Sequence, residues 1–244
     1  PKVHNAVAIA PTYSMYKVAA EINDVEVREV QLEEDFSLDA DKLLAATDAN
    51  TRLLWLCSPN NPTANSFPTA TIERIIREFA GIVVLDEAYI DFAAEPGFLS
   101  RLGEFPNLIV LQTLSKAWGM AGLRLGLAFA DPLIVATLSN VKYPYNVNGP
   151  TQQTVLERLA GSPAAQVAEI LSERRRVAAA LQPMKVVRKL YPSDANFVLV
   201  KVDEPRKVYD RLIAAGIIVR DRSRMQGCEG CLRITIGTPE ENTR

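Results

Sequence analysis

Ile82-Val83-Val84-Leu85-Asp86-Glu87-Ala88-Tyr89 is the stretch on which the fold turns. Four apolar residues follow one another without a polar break, which suits a strand buried on both faces of a parallel sheet. The run stops abruptly at two acids. In open parallel sheets ligands collect beyond the carboxyl ends of the strands, and Asp86 stands at such an end. Working outward, residues 52–57, 108–111 and 125–130 are further apolar runs, and residues 6–10 and 25–32 read as strands too. Between them residues 12–22, 38–46 and 69–79 read as helices, the last with Ile72, Ile75, Ile76 and Phe79 at helical spacing. Strands alternating with helices predict an α/β layered domain with a mostly parallel sheet.

Beyond residue 147 the pattern changes. Residues 148–181 form a long helical tract, broken near Gly161-Ser162-Pro163. Strands are expected at 186–191, 197–202, 217–220 and 232–236, with a helix at 205–215, which describes a small α+β domain. The expected division is a large domain over 1–147 and a linking helix with the small domain over 148–244.

The 244 residues carry a net charge of −2, and 48% are apolar, enough for a sizeable core and too balanced for a nucleic-acid groove or a basic membrane patch. No run of about 18 apolar residues is present to span a bilayer, and no leader-like start is seen, so a cytoplasmic protein is expected. Three cysteines make no disulfide framework. Cys228 and Cys231 form a CxxC, but a zinc site needs about four ligands. The plainer reading is two cysteines flanking a glycine turn before a strand, and no metal is expected.

Three segments carry candidate chemistry. In Thr113-Leu114-Ser115-Lys116-Ala117-Trp118-Gly119, followed by Gly122-Leu123-Arg124, hydroxyls and two cations follow a strand end. That set suits a phosphate, and the lysine could instead form an imine with an aldehyde cofactor. The plain alternative is a surface lysine in a polar loop. Asp86, ending an apolar strand, should be partly buried and therefore paired. A protonated pyridine nitrogen is a suitable partner; a helix cap or a metal carboxylate are the alternatives, though no GxxxxGK[ST] loop supports the second. In Cys57-Ser58-Pro59-Asn60-Asn61-Pro62-Thr63 two prolines restrict the chain and would present the asparagines rigidly. An ordinary Pro/Asn turn is the alternative there.

Asn60-Asn61-Pro62-Thr63, Asp86-Glu87-Ala88-Tyr89 and Ser115-Lys116-Ala117-Trp118-Gly119-Met120-Ala121-Gly122-Leu123-Arg124, in this order, resemble the fold-type-I pyridoxal-phosphate aminotransferases. The agreement is closest with the histidinol-phosphate group of that family. Pro11-Thr12-Tyr13-Ser14-Met15-Tyr16, Tyr143-Pro144-Tyr145-Asn146-Val147-Asn148, Val219-Arg220-Asp221-Arg222 and Gly230-Cys231-Leu232-Arg233-Ile234-Thr235 resemble its other motifs. The resemblance implies a three-layer PLP-dependent transferase fold with pyridoxal 5'-phosphate as cofactor. It implies that Lys116 holds the cofactor aldehyde and shuttles the substrate proton, with Asp86 on the pyridinium nitrogen. Tyr89 and Asn61 would bond the cofactor's phenolic oxygen, Tyr13 would stack on its ring, and Ser115 and Arg124 would hold its phosphate. Arg220 and Arg233 would take the anionic end of L-histidinol phosphate or of glutamate and 2-oxoglutarate, in histidine biosynthesis. A homodimer is implied, and neither nucleic acid nor membrane.

Two departures stand out. Ala64 occupies a position where the family usually has Gly; if it needs a positive φ, alanine costs about 1 kcal/mol or more there. Relatives are expected to carry roughly a hundred further residues ahead of the Pro-Thr-Tyr segment, a two-domain size, so the large domain reads as truncated at its start. Rival readings are another enzyme of the same fold, such as a threonine-phosphate decarboxylase or an aromatic aminotransferase, and a non-catalytic ligand-binding module.

Overall fold

A computed structural model describes residues 3–244. Strand β1 (Asn5–Ala10) leads to helix α1 (Met15–Ile22), then β2 (Glu26–Gln31), α2 (Ala40–Ala45), β3 (Thr51–Cys57), α3 (Thr69–Glu78), β4 (Ile82–Asp86), β5 (Leu108–Thr113) and β6 (Gly126–Ala130). The six strands form one sheet in the order β2-β1-β3-β4-β5-β6. All neighbours run parallel except β6, which returns antiparallel to β5 at the edge.

Period-2 alternation sorts the side chains to two faces. Val7, Ile9, Leu54, Leu56, Val83, Leu85, Leu108 and Val110 share one core with Leu43 of α2 and Ile72, Ile75 and Ile76 of α3. The other face carries Trp55 and Asp86, and there Tyr16 of α1 stacks on Trp55 with ring centroids 4.7 Å apart and 17° between planes. The central run is thus buried from both sides, as an unbroken apolar strand requires.

After the sheet come α4 (Pro132–Val141), α5 (Gly149–Leu159) and α6 (Ala164–Leu181). A second sheet follows, built from β7 (Val187–Leu190), β8 (Phe197–Val202), β9 (Arg220–Asp221) and β10 (Cys231–Thr235), with α7 (Pro205–Ala214) between β8 and β9 and α8 (Pro239–Thr243) last. Its order is β7-β8-β10-β9, and every pair is antiparallel. One face packs on α6 and α7 through Val198, Val200, Leu232, Val177 and Leu212. The opposite face meets the first unit: Leu199 and Cys231 pack with Phe36 from the loop after β2.

The expected elements form, with three differences. α1 begins at Met15 rather than at residue 12, because the Thr12 hydroxyl is taken up by the Asn60 side chain. The strand expected at 217–220 shrinks to Arg220–Asp221, because α7 closes with Gly216 at φ +76° and the amides of Gly216 and Ile217 turned back to Ile213 and Leu212. α4 has no counterpart among the sequence expectations, although Asp131 as N-cap and Pro132 at the first helical position are its start signal. No helix among the described residues is long and apolar enough to cross a membrane.

Candidate active site

Parallel pairing sets the ends of β3, β4 and β5 side by side, with Cys57 opposite Asp86 and Asp86 opposite Leu111. A cavity of about 940 Å³ opens beyond these ends. Tyr13, Asn61, Asp86, Tyr89, Ser115, Lys116, Arg124, Arg220 and Arg233, all nine residues expected to act, lie in its wall.

Asp86 is held by two donors. The Tyr16 hydroxyl donates to Oδ2 at 2.6 Å and the Ala88 amide to Oδ1 at 3.0 Å. Burial still pushes its carboxyl above the ordinary range, against the pull of these donors and of Lys116. Burial, with the Cys57 thiol and the Asp86 charge beside it, drives the Tyr16 phenol far upward, so Tyr16 is a permanent donor. Sequence reading passed over Tyr16 as a site residue; its signal was the i, i+3 spacing from Tyr13, which places the two rings edge to face at 5.6 Å.

Lys116 sits in the turn after β5, which Gly119 closes at φ +66° with its amide on the Lys116 carbonyl. The amine lies 5.4 Å from the centre of the Tyr89 ring. Burial first, then the Arg233 and Arg124 charges, lower its pKa, while Asp86 opposes them. Beside it Thr113 Oγ1 accepts from the Ser115 amide and donates to Ser115 Oγ at 2.9 Å, giving two hydroxyls next to Arg124 in the same wall. Arg124 adopts a left-handed backbone at φ 55°. Tyr89 is pushed up to about 12 by burial, with Arg233 pulling the other way.

The two asparagines of the proline loop divide the work. Asn60 is wholly buried and ties the loop to the Tyr13 segment: its amide donates to the Pro11 carbonyl and Thr63 Oγ1, and its oxygen accepts from Thr12. Only Asn61 faces the cavity, which corrects the expectation that both side chains are presented. Asn61 Oδ1 accepts from Arg233 Nη1 at 2.7 Å, a bond between residues 172 apart in sequence. Arg233 also lies over the Phe197 ring at 4.8 Å, and Phe197 meets Tyr89 edge to face. Tyr13 is 44% exposed, so it is a wall of the cavity and not part of the core. Arg220 makes no ion pair with Asp221, whose carboxylate accepts from Ser223 instead.

Cys228 and Cys231 are free and buried, flanking the positive-φ Gly230 just before β10. Burial raises both thiols, Cys231 to about 11, so neither is a thiolate at neutral pH. No cluster of three or more metal-ligating side chains occurs among the described residues.

An amine, a buried carboxylate at a strand end and a hydroxyl–arginine group meet around one cavity. The chain belongs to the family of class I and II aminotransferases, whose model matches residues 2–244. It is 53% identical over 244 residues to histidinol-phosphate aminotransferase of Parabacteroides distasonis, a match covering 99% of this chain and 71% of that protein. Among solved structures, histidinol-phosphate aminotransferase from Clostridium acetobutylicum superposes with a TM-score of 0.92 at 22% identity, over 99% of this chain and 75% of that one. The Sinorhizobium meliloti enzyme, solved in complex with pyridoxal-5'-phosphate, superposes at 0.85 with 24% identity, over 99% and 68%. These two share the fold.

Pyridoxal phosphate is the cofactor of the family, and the donor set fits it. The cavity offers an amine for the aldehyde, a carboxylate short of cationic partners for the ring nitrogen, and Ser115 with Arg124 for the phosphate. Its wall holds Arg124, Arg220, Arg222 and Arg233 against, among the described residues, the one acid Asp86, a balance that favours anions.

Proposed function

We propose that this chain carries the cofactor and substrate site of a histidinol-phosphate aminotransferase, which moves an amino group between L-histidinol phosphate and 2-oxoglutarate. The observation that carries the reading is the meeting of Lys116 and Asp86 with the arginines of the second sheet around one cavity. Bound there, pyridoxal phosphate supplies an electron sink that stabilises negative charge at the substrate Cα. Asp86, steadied by Tyr16, holds the proton on the ring nitrogen. Asn61 and Tyr89 hold the phenolic oxygen, and Tyr13 covers one ring face. Ser115 and Arg124 hold the phosphate. Lys116, kept toward its neutral form by burial and the neighbouring guanidiniums, takes up and returns the proton of the substrate Cα. Arg220 and Arg233 bind the anionic end of either substrate, since a guanidinium fork matches phosphate and carboxylate alike.

We place the division between a large cofactor-binding domain and a linking helix with a small C-terminal domain at residues 147 and 148, and we assign the protein to the cytoplasm as a homodimer. The functional test is an amino-transfer assay of the full-length protein with histidinol phosphate and 2-oxoglutarate. Turnover is expected, and Lys116→Ala should lose about 10²–10⁴-fold or more, the range of a general base. Release of carbon dioxide from threonine phosphate without transamination overturns the reading in favour of a decarboxylase. Absence of any turnover, with cofactor bound, points to a binding module. Sedimentation of the full-length protein at twice the chain mass is the expected result for the dimer.

A further inference from the structure

Arg222 shares the cavity wall with Arg220 and Arg233. β9 and β10 pair antiparallel with Arg220 directly opposite Arg233, and Asp221 opposite Leu232. Directly opposite residues point to the same face and stand about 5 Å apart at Cβ. Two residues on from Arg220, Arg222 continues the ladder, its amide donating to the Cys231 carbonyl at 2.9 Å. Period-2 alternation therefore returns Arg222 to the face that carries Arg220 and Arg233, and all three line the cavity.

Like charges directly opposite on a strand pair are destabilising. Here three share one face, and among the described residues none of them forms an ion pair with a carboxylate. Asp221 does not relieve them: it faces the other way and binds Ser223. The Nε atoms of Arg222 and of Arg233 are buried without a hydrogen-bond partner. Guanidiniums in the cavity wall with no carboxylate beside them suit an anion that enters the cavity. Arg233 spends one nitrogen on Asn61. A carboxylate, with two oxygens and one charge, is served by the Arg220–Arg233 pair. A third fork is of use to a ligand with three terminal oxygens and close to two charges, which is a phosphate monoester.

We infer that Arg222 is a specificity-determining residue, the third guanidinium that makes this subsite favour a phosphate dianion over a carboxylate. The inference rests on the proposed function and refines it. A purely structural Arg222, or one bound to solvent, would not separate the two substrates.

The test compares wild-type protein with Arg222→Gln and Arg222→Lys, all full-length and loaded with cofactor. Arg222→Gln is expected to raise KM for histidinol phosphate about tenfold or more, with KM for glutamate within about twofold. Inorganic phosphate should inhibit it correspondingly less, cofactor affinity should be unchanged, and Arg222→Lys should restore part of the loss. Equal shifts for both substrates, or none for histidinol phosphate, overturn the inference. The parent reading fails separately, in the wild type, if histidinol phosphate is not a substrate at all; inhibition by inorganic phosphate then still reports the anion site.

Discussion

At Asp86 the sequence placed a carboxylate where burial penalises it, and the structure shows how far that penalty is offset. Two hydrogen bonds hold the carboxylate, yet its folded pKa remains above the unfolded one. The folded state then binds the proton more tightly than the unfolded state. Stability is highest with Asp86 protonated and falls as pH rises from the unfolded value through the raised folded value. Above that window the ionised group is a standing cost. Asp86→Asn should therefore stabilise the cofactor-free protein at neutral pH by about 0.5–2 kcal/mol in a denaturant titration and flatten that acidic slope, while abolishing tight cofactor binding. A less stable cofactor-free variant would contradict this. Ala64 makes a second residue-scale case. Its φ is 72°, and it is wholly buried with its amide on the Asn60 carbonyl. The left-handed backbone costs a residue with a Cβ about 1–2 kcal/mol, while glycine loses about 0.5–1 kcal/mol of extra chain entropy on folding. Removing its buried methyl, packed with Tyr89, Phe92 and Phe197, costs about 0.8 kcal/mol more, so Ala64→Gly should leave stability within about 1 kcal/mol of the parent, seen as a small change in Tm.

Among the elements, α3 shows a sequence pattern converted directly into packing. Ile72, Ile75 and Ile76 form one stripe and all three are buried against the first sheet. Ile75→Ala leaves a cavity at the centre of that stripe and should cost about 2–5 kcal/mol by urea unfolding, with little change in KM because α3 lies on the face away from Asp86. Most element positions were legible because their cause is local: hydrophobic period, a cap, a glycine. Ser-Lys at a strand end, Asp after an apolar run and Asn between two prolines each left a plain alternative open when read alone, and only the resemblance of the three motifs together pointed to one site. The short β9 was less so, since Ile217 joins the closing turn of α7 rather than the ladder. Tyr16 was hidden because its partner, Asp86, lies 70 residues away.

The whole molecule is completed by contacts between its two sheets. Arg233 reaches Asn61 across the cavity, Phe197 touches Tyr89, and Phe36 packs with Leu199. A cofactor bound between such elements stabilises the folded state by mass action. Pyridoxal phosphate at about 100 times its Kd should add about 2.7 kcal/mol to unfolding, measured as a concentration-dependent rise in Tm. Lys116→Ala should reduce that rise, and a Tm indifferent to the cofactor would argue against the site. The sequence by itself determined the alternation of strands and helices and the residue types that stand at the strand ends, because hydrophobic period and turn chemistry act over a few residues. Only the tertiary structure decided which asparagine faces the cavity, that Tyr16 supports Asp86, and that three arginines share one strand face, because register and sheet order join residues that sequence distance keeps apart.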